Sequence, residues 1–246
     1  MPINKNKPVI FLNPGFGFED EGASVGKDTT RDLNAIICEK ILNVIKNKDY
    51  EIYLAFNLKY AGIDIKKHKN VHILFDKRPP ILGDSGEAKM YEASSSCMRA
   101  VAEKILKHKN SKFFSLCLHH DYSDNKKDVG FKVYYQADKY TSKIFRKNSK
   151  NLSMKLCKNC KDIYKVSENE GNEIRNHIIE ENWAMANLGE MALKKEFENS
   201  NAGAVVIYFG YISNKAQLEK LKQECLQEKT AKAVSTSLCN FLYDLE

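Results

Sequence analysis

No stretch of this 246-residue chain is apolar for long enough to span a bilayer, and Met1-Pro2-Ile3-Asn4-Lys5-Asn6-Lys7 lacks the apolar segment of a secretory signal. Both absences predict a cytoplasmic protein. A disulfide framework is missing too: the seven cysteines are odd in number and scattered, which agrees with a reducing compartment. There is no internal repeat and no low-complexity segment. Acidic residues are the scarcer charge, 32 against 39 basic ones, and the net charge of +7 weakly favours anionic partners. Aromatic residues are not interleaved with lysine clusters such as Lys66-Lys67-His68-Lys69. That argues against nucleic acid as the partner.

What is present is an ordinary globular balance, 43% hydrophobic and 29% charged, in a length that suits one α/β domain covering residues 1–246. Pro8-Val9-Ile10-Phe11-Leu12 reads as a buried strand that stops at the turn Asn13-Pro14-Gly15. From Asp32 the apolar residues Leu33, Ile36, Ile37, Ile41, Leu42 and Ile45 take helical spacing. Further strands are expected at Glu51 to Phe56, Val71 to Phe75, Lys112 to Leu118, Phe131 to Gln136 and Ala204 to Phe209. A long helix fits Gly86 to His108, and two more fit Asn214 to Gln227 and Glu228 to Leu245. Strands alternating with helices predict a mostly parallel six-stranded sheet with helices on both faces and a site at the carboxyl ends of the strands. Asn148 to Glu181, polar and rich in Lys, Asn and Glu, reads as an insertion or lid, followed by a helix through Trp183, Met185, Leu188, Met191 and Leu193.

Three stretches carry a resemblance. Ile10-Phe11-Leu12-Asn13-Pro14-Gly15-Phe16-Gly17 leads into Asp20-Glu21-Gly22-Ala23. Phe113-Phe114-Ser115-Leu116-Cys117-Leu118-His119-His120-Asp121 is followed by Gly130-Phe131-Lys132-Val133-Tyr134-Tyr135. Ala204-Val205-Val206-Ile207-Tyr208-Phe209-Gly210-Tyr211-Ile212-Ser213-Asn214 precedes the closing helices. Together, and in this order, they resemble the zinc-dependent N-acetylmuramoyl-L-alanine amidases. The resemblance implies an amidase-like α/β fold and hydrolysis of the amide between N-acetylmuramic acid and L-alanine in peptidoglycan. It also implies two His and one Glu as zinc ligands, with a Glu as general base.

Carried over residue by residue, the first His position holds Phe16, the Glu ligand position Thr30, the second His position His119 and the base position Tyr208. Phenylalanine cannot coordinate a metal, a threonine hydroxyl is a poor replacement for a carboxylate, and a phenol with a pKa of about 10 is a weak base near neutrality. The expectation is therefore an amidase-fold protein that has lost its zinc chemistry, binds no cofactor and acts by binding a peptidoglycan fragment, another anionic ligand or a protein. Candidate binding residues are Gly15, Gly17, Asp20, His120, Asp121, Ser213 and Asn214.

Other readings stay open at this level. His119-His120-Asp121, with Glu19, Asp20 or Glu21 arriving from the first loop, could rebuild a metal site; the chain would then be an active peptidoglycan amidase or endolysin holding zinc. A recruited effector or regulator is a third reading. Cys117 lies two residues before His119, so the two share a strand face and could pair as nucleophile and base, although a small core residue is the simpler assignment. Cys157-Lys158-Asn159-Cys160 has metal or redox spacing, but no second pair accompanies it, and it reads as two surface cysteines.

Overall fold

The computed structural model describes residues 7–17, 20–65, 70–76, 112–135, 143–164, 175–176 and 201–245. Strand β1 (Val9–Asn13) is buried at every position. It lies in the middle of a sheet because its apolar run has no polar alternation to turn toward water. A two-stranded ribbon follows, β2 (Ser24–Val25) against β3 (Asp28–Thr29), and leads into helix α1 (Thr30–Ile45). Thr29 caps that helix by accepting from the Asp32 backbone N–H, so α1 begins two residues before the apolar spacing shows it.

The main sheet also contains β4 (Glu51–Phe56), β5 (Val71–Phe75), β6 (Phe113–Asp121), β7 (Lys132–Tyr135), the two-residue β8 (Arg175–Asn176) and β9 (Ala202–Tyr211). Its order is β5-β4-β1-β6-β9-β7-β8. The six expected strands are all there, and β8 adds a short edge. Every pairing is parallel except β7 against β9, where Lys132 faces Tyr208.

Helices α2 (Lys143–Cys160), α3 (Lys215–Leu221) and α4 (Glu224–Tyr243) and a short 3-10 turn at Leu58–Ala61 complete the described elements. Of the segment read as an insertion or lid, Asn148 to Cys160 is part of α2, whose Leu152, Leu156 and Cys160 join the main core with residues of α1 and α4. Several of its polar side chains point inward with partners: Asn148 Nδ2 donates to the Ala202 carbonyl at 3.2 Å, and Ser149 Oγ accepts from the Ala204 N–H at 3.0 Å. Gly203 permits the approach, since a Cβ there would sit 3.2 Å from the Ser149 nitrogen. The division between α3 and α4 falls at Lys222 and Gln223, earlier than the apolar spacing suggests, because Gln227 Nε2 donates to the Leu221 carbonyl and closes the end of α3. The helices expected at Gly86 to His108 and around Trp183 lie outside the described residues, as does the remainder of the lid segment apart from 161–164 and 175–176.

Two apolar clusters divide along the sheet. Ile10, Leu12, Leu116, Leu118, Val205, Ile207 and Phe209 belong to the cluster with α1 and α4. Val9, Phe11, Cys117, Ala204, Val206 and Tyr208 belong to the other. This is the two-residue alternation of strand side chains, and it decides which face each candidate residue reaches.

Candidate functional site at the carboxyl end of the sheet

Where β1 ends, Asn13 Oδ1 accepts from the Gly15 N–H at 3.0 Å and folds the chain into a turn. Gly15 has φ of +74°, and a Cβ there would come within 2.6 Å of His119 Cε1 and 2.9 Å of the Leu118 carbonyl oxygen. Only glycine lets the turn pass this close over the imidazole. The turn delivers Phe16 edge-on to His119, with ring centroids 5.5 Å apart. Gly17 backs against the Phe56 ring, and Asp20 Oδ1 accepts from the Gly22 N–H at 3.0 Å. A Cβ on Gly22 would meet both Phe16 and Thr30, so these residues converge. Thr30 is buried, and its hydroxyl donates to the Glu21 carbonyl at 3.2 Å.

His119 stacks on Tyr208 at 5.3 Å, and its Nε2 lies 3.2 Å from Cys117 Sγ. Burial lowers the His119 pKa to about 4 and raises that of Cys117 to about 12. The pair is therefore neutral near pH 7, thiol against imidazole, with the ring tautomer setting which of the two donates. The structure does bring the suggested cysteine and histidine together, but as thiol and imidazole, whereas nucleophilic attack needs the thiolate. Tyr208 is likewise pushed above the ordinary phenol range, first by burial and then by the neighbouring Asp121, Cys117 and Tyr134, with Lys132 opposing. A phenol so held is a poor proton acceptor at neutrality.

Sequence reasoning missed Lys132. Its Nζ is nearly buried, ion-pairs with Asp121 at 2.7 Å and lies 4.7 to 5.7 Å from the centres of the Tyr211, Tyr208 and Tyr134 rings. Burial works against its charge, but the hydrogen bonds it makes with Asp121, to which it donates, and with Tyr211 outweigh it, and the net shift is upward. A tyrosine-walled ammonium thus stands beside the phenol at the base position. No spacing signals this, because the antiparallel β7–β9 register alone sets Lys132 opposite Tyr208.

The other candidates separate. His120, a candidate binding residue, is a buried strand residue on the opposite face, 2.7 Å through Nδ1 from Asn34 Oδ1. Ser213 Oγ accepts from the Ser123 N–H, and Asn214 caps α3 while donating to the Lys126 carbonyl. Both hold the loop after β6 onto the end of β9. Cys157 and Cys160 do not form a surface pair: Cys160 is fully buried and Cys157 partly so. Burial raises their pKa values to about 11 and about 12, against any ready thiolate chemistry. Glu19 lies outside the described residues.

These side chains do not fit the zinc that the family resemblance implies. Phe16 has no donor atom, the Thr30 hydroxyl is committed to a carbonyl, the thiol occupies one nitrogen of His119, and Lys132 neutralises Asp121. Among the described residues no three His, Cys, Asp or Glu side chains are grouped to hold a metal ion.

Comparison with known proteins agrees with the architecture. A family profile described as N-acetylmuramoyl-L-alanine amidase matches residues 10–240. No curated protein sequence is matched. Among solved structures, the CwlD amidase of Clostridioides difficile, in complex with the GerS lipoprotein, aligns at TM-score 0.62 and 20% identity over 96% of this chain and 98% of its own. An N-acetylmuramoyl-L-alanine amidase of Clostridium difficile 630 aligns at TM-score 0.60 and 14% identity, covering 96% of this chain and 97% of its own. The catalytic domain of CwlV from Bacillus (Paenibacillus) polymyxa aligns at TM-score 0.57 and 16% identity, covering 96% and 98%. At these identities the likeness is one of fold.

Proposed function

The chain belongs to the N-acetylmuramoyl-L-alanine amidase family, and from that premise we propose that it is a catalytically degenerate member that acts by binding a peptidoglycan fragment. One observation carries the proposal: His119 is enclosed by the Phe16 edge, the Tyr208 face and the Cys117 thiol, where zinc hydrolysis would require further ligands, an open water position and a carboxylate. Metal and base positions have changed together. The retained turn at Gly15 and Gly22 supports the reading, since it preserves the backbone shape of the site after the donor atoms have gone.

The test is zinc content and muropeptide turnover measured on one preparation, together with calorimetric titration of the same muropeptide. The expected result is far less than one zinc per chain, no released peptide and saturable binding. Stoichiometric zinc with turnover abolished by chelator and by His119→Ala would overturn it and establish an active amidase with a rebuilt metal site. Absence of both turnover and muropeptide binding would instead leave a fold recruited as an effector or regulator.

A further inference from the structure

Helix α2 presents a face that the site above does not use. Between Lys143 and Cys160 it carries five lysines and one arginine and no acidic residue. Lys143, Lys147, Lys150, Met154 and Lys158, with Lys161 just past the helix end, are all exposed, and their spacing of three and four residues aligns them in one row along the helix. At ~1.5 Å per residue that row is roughly 27 Å long, with successive members about 4.5 to 6 Å apart along the axis. None of its lysines makes an ion pair among the described residues; Asp162 is the acid next to its end, and Lys155, off the row, pairs with Asp244.

From this geometry we infer that the outer face of α2 docks a linear phosphodiester polymer without bases, of the kind built from glycerol phosphate units. A straight row of like charges suits the successive phosphates of an extended chain. Lysine point charges recognise phosphate without the bidentate geometry that reads base edges. Stacking of bases is not provided for, because Phe145, the one aromatic residue of the helix, is buried. Met154, 52% exposed in mid-row, and Ile144 at 39% beside its start offer apolar contact to a carbon backbone. This inference concerns α2 alone and does not depend on the state of the His119 site.

The experiment measures binding of the full chain to a synthetic glycerol phosphate polymer across a salt series. An oligothymidylate and anionic phospholipid vesicles serve as competing ligands. The triple variant Lys147→Glu, Lys150→Glu, Lys158→Glu is compared with Lys27→Glu, Lys48→Glu, Lys229→Glu, which changes net charge equally at exposed positions elsewhere. The expected result is at least a roughly tenfold loss in the α2 variant, a change below about threefold in the control, and a log–log salt slope shallower by about 2. Equal losses in the two variants would reduce the effect to net charge and overturn the inference. Tighter binding of the oligothymidylate or the vesicles than of the polymer would overturn it in favour of nucleic acid or a membrane surface. Circular dichroism of both variants establishes that the fold is intact.

Discussion

His119 sits where a turn, two strands and an aromatic wall meet, and its protonation is governed by those neighbours. Burial holds its pKa near 4, and burial with the nearby His119 charge holds that of His120 near 3. In the unfolded chain both titrate near 6.5. The folded state therefore binds fewer protons than the unfolded one between these values, so stability is full above about pH 6.5 and is lost as pH falls toward 4. Each histidine contributes a slope of up to about 1.4 kcal/mol per pH unit in that window. His119→Phe keeps a ring between Phe16 and Tyr208 and removes one titrating group. Urea unfolding at pH 7, 6 and 5 should show roughly half the acid destabilisation of the parent protein, and an unchanged slope would contradict the burial argument. The places of Phe16 and Tyr208 beside His119 could be read from the sequence because glycines flank them. Lys132 could not, since nothing local to its strand names the partner across the ladder.

At the scale of elements, polarity was a poor guide to exposure. Asn148, Ser149 and Ser153 of α2 are polar yet buried, and each has a carbonyl or amide partner in the packed structure. Buried polar groups that are satisfied carry little penalty, so composition alone cannot assign them to the surface. Helix boundaries were similarly decided by hydrogen bonds between side chains and backbone, at Thr29 for α1 and at Gln227 for the end of α3. One boundary is left imperfect. Gln223 has the extended backbone of an N-cap (φ −71°, ψ 123°) but makes no capping bond to α4. Gln223→Asp should supply it and also favour the positive end of the helix, raising stability by about 1 kcal/mol. Urea denaturation would register this as a higher midpoint with an unchanged slope. No gain would mean that the first turn of α4 is already satisfied by water.

For the whole molecule, the mostly parallel sheet and its helices close on an apolar core. Ile10, Leu12, Leu116, Val205 and Ile207 are fully buried between elements far apart in sequence, and apolar burial of this kind is the main stabilising contribution to a domain of this size. Removal of divalent ions with a chelator should accordingly leave the thermal unfolding midpoint within about 1 °C of the untreated protein. A bound structural metal would shift it further through linkage, since tight ligands stabilise by several kcal/mol. No helix among the described residues is long and apolar enough to cross a membrane.

The sequence by itself determined the six principal strands, the first helix and the amidase architecture. Each of these is written in local apolar periodicity or in glycine-bounded turns. Tertiary structure alone decided that β7 runs antiparallel, that Lys132 stands against Tyr208, and that His120 packs against Asn34. These depend on register and on the face a strand residue takes, which are set by contacts between distant segments, 76 residues apart for Lys132 and Tyr208 and 86 for His120 and Asn34, and by the low dielectric of the packed interior.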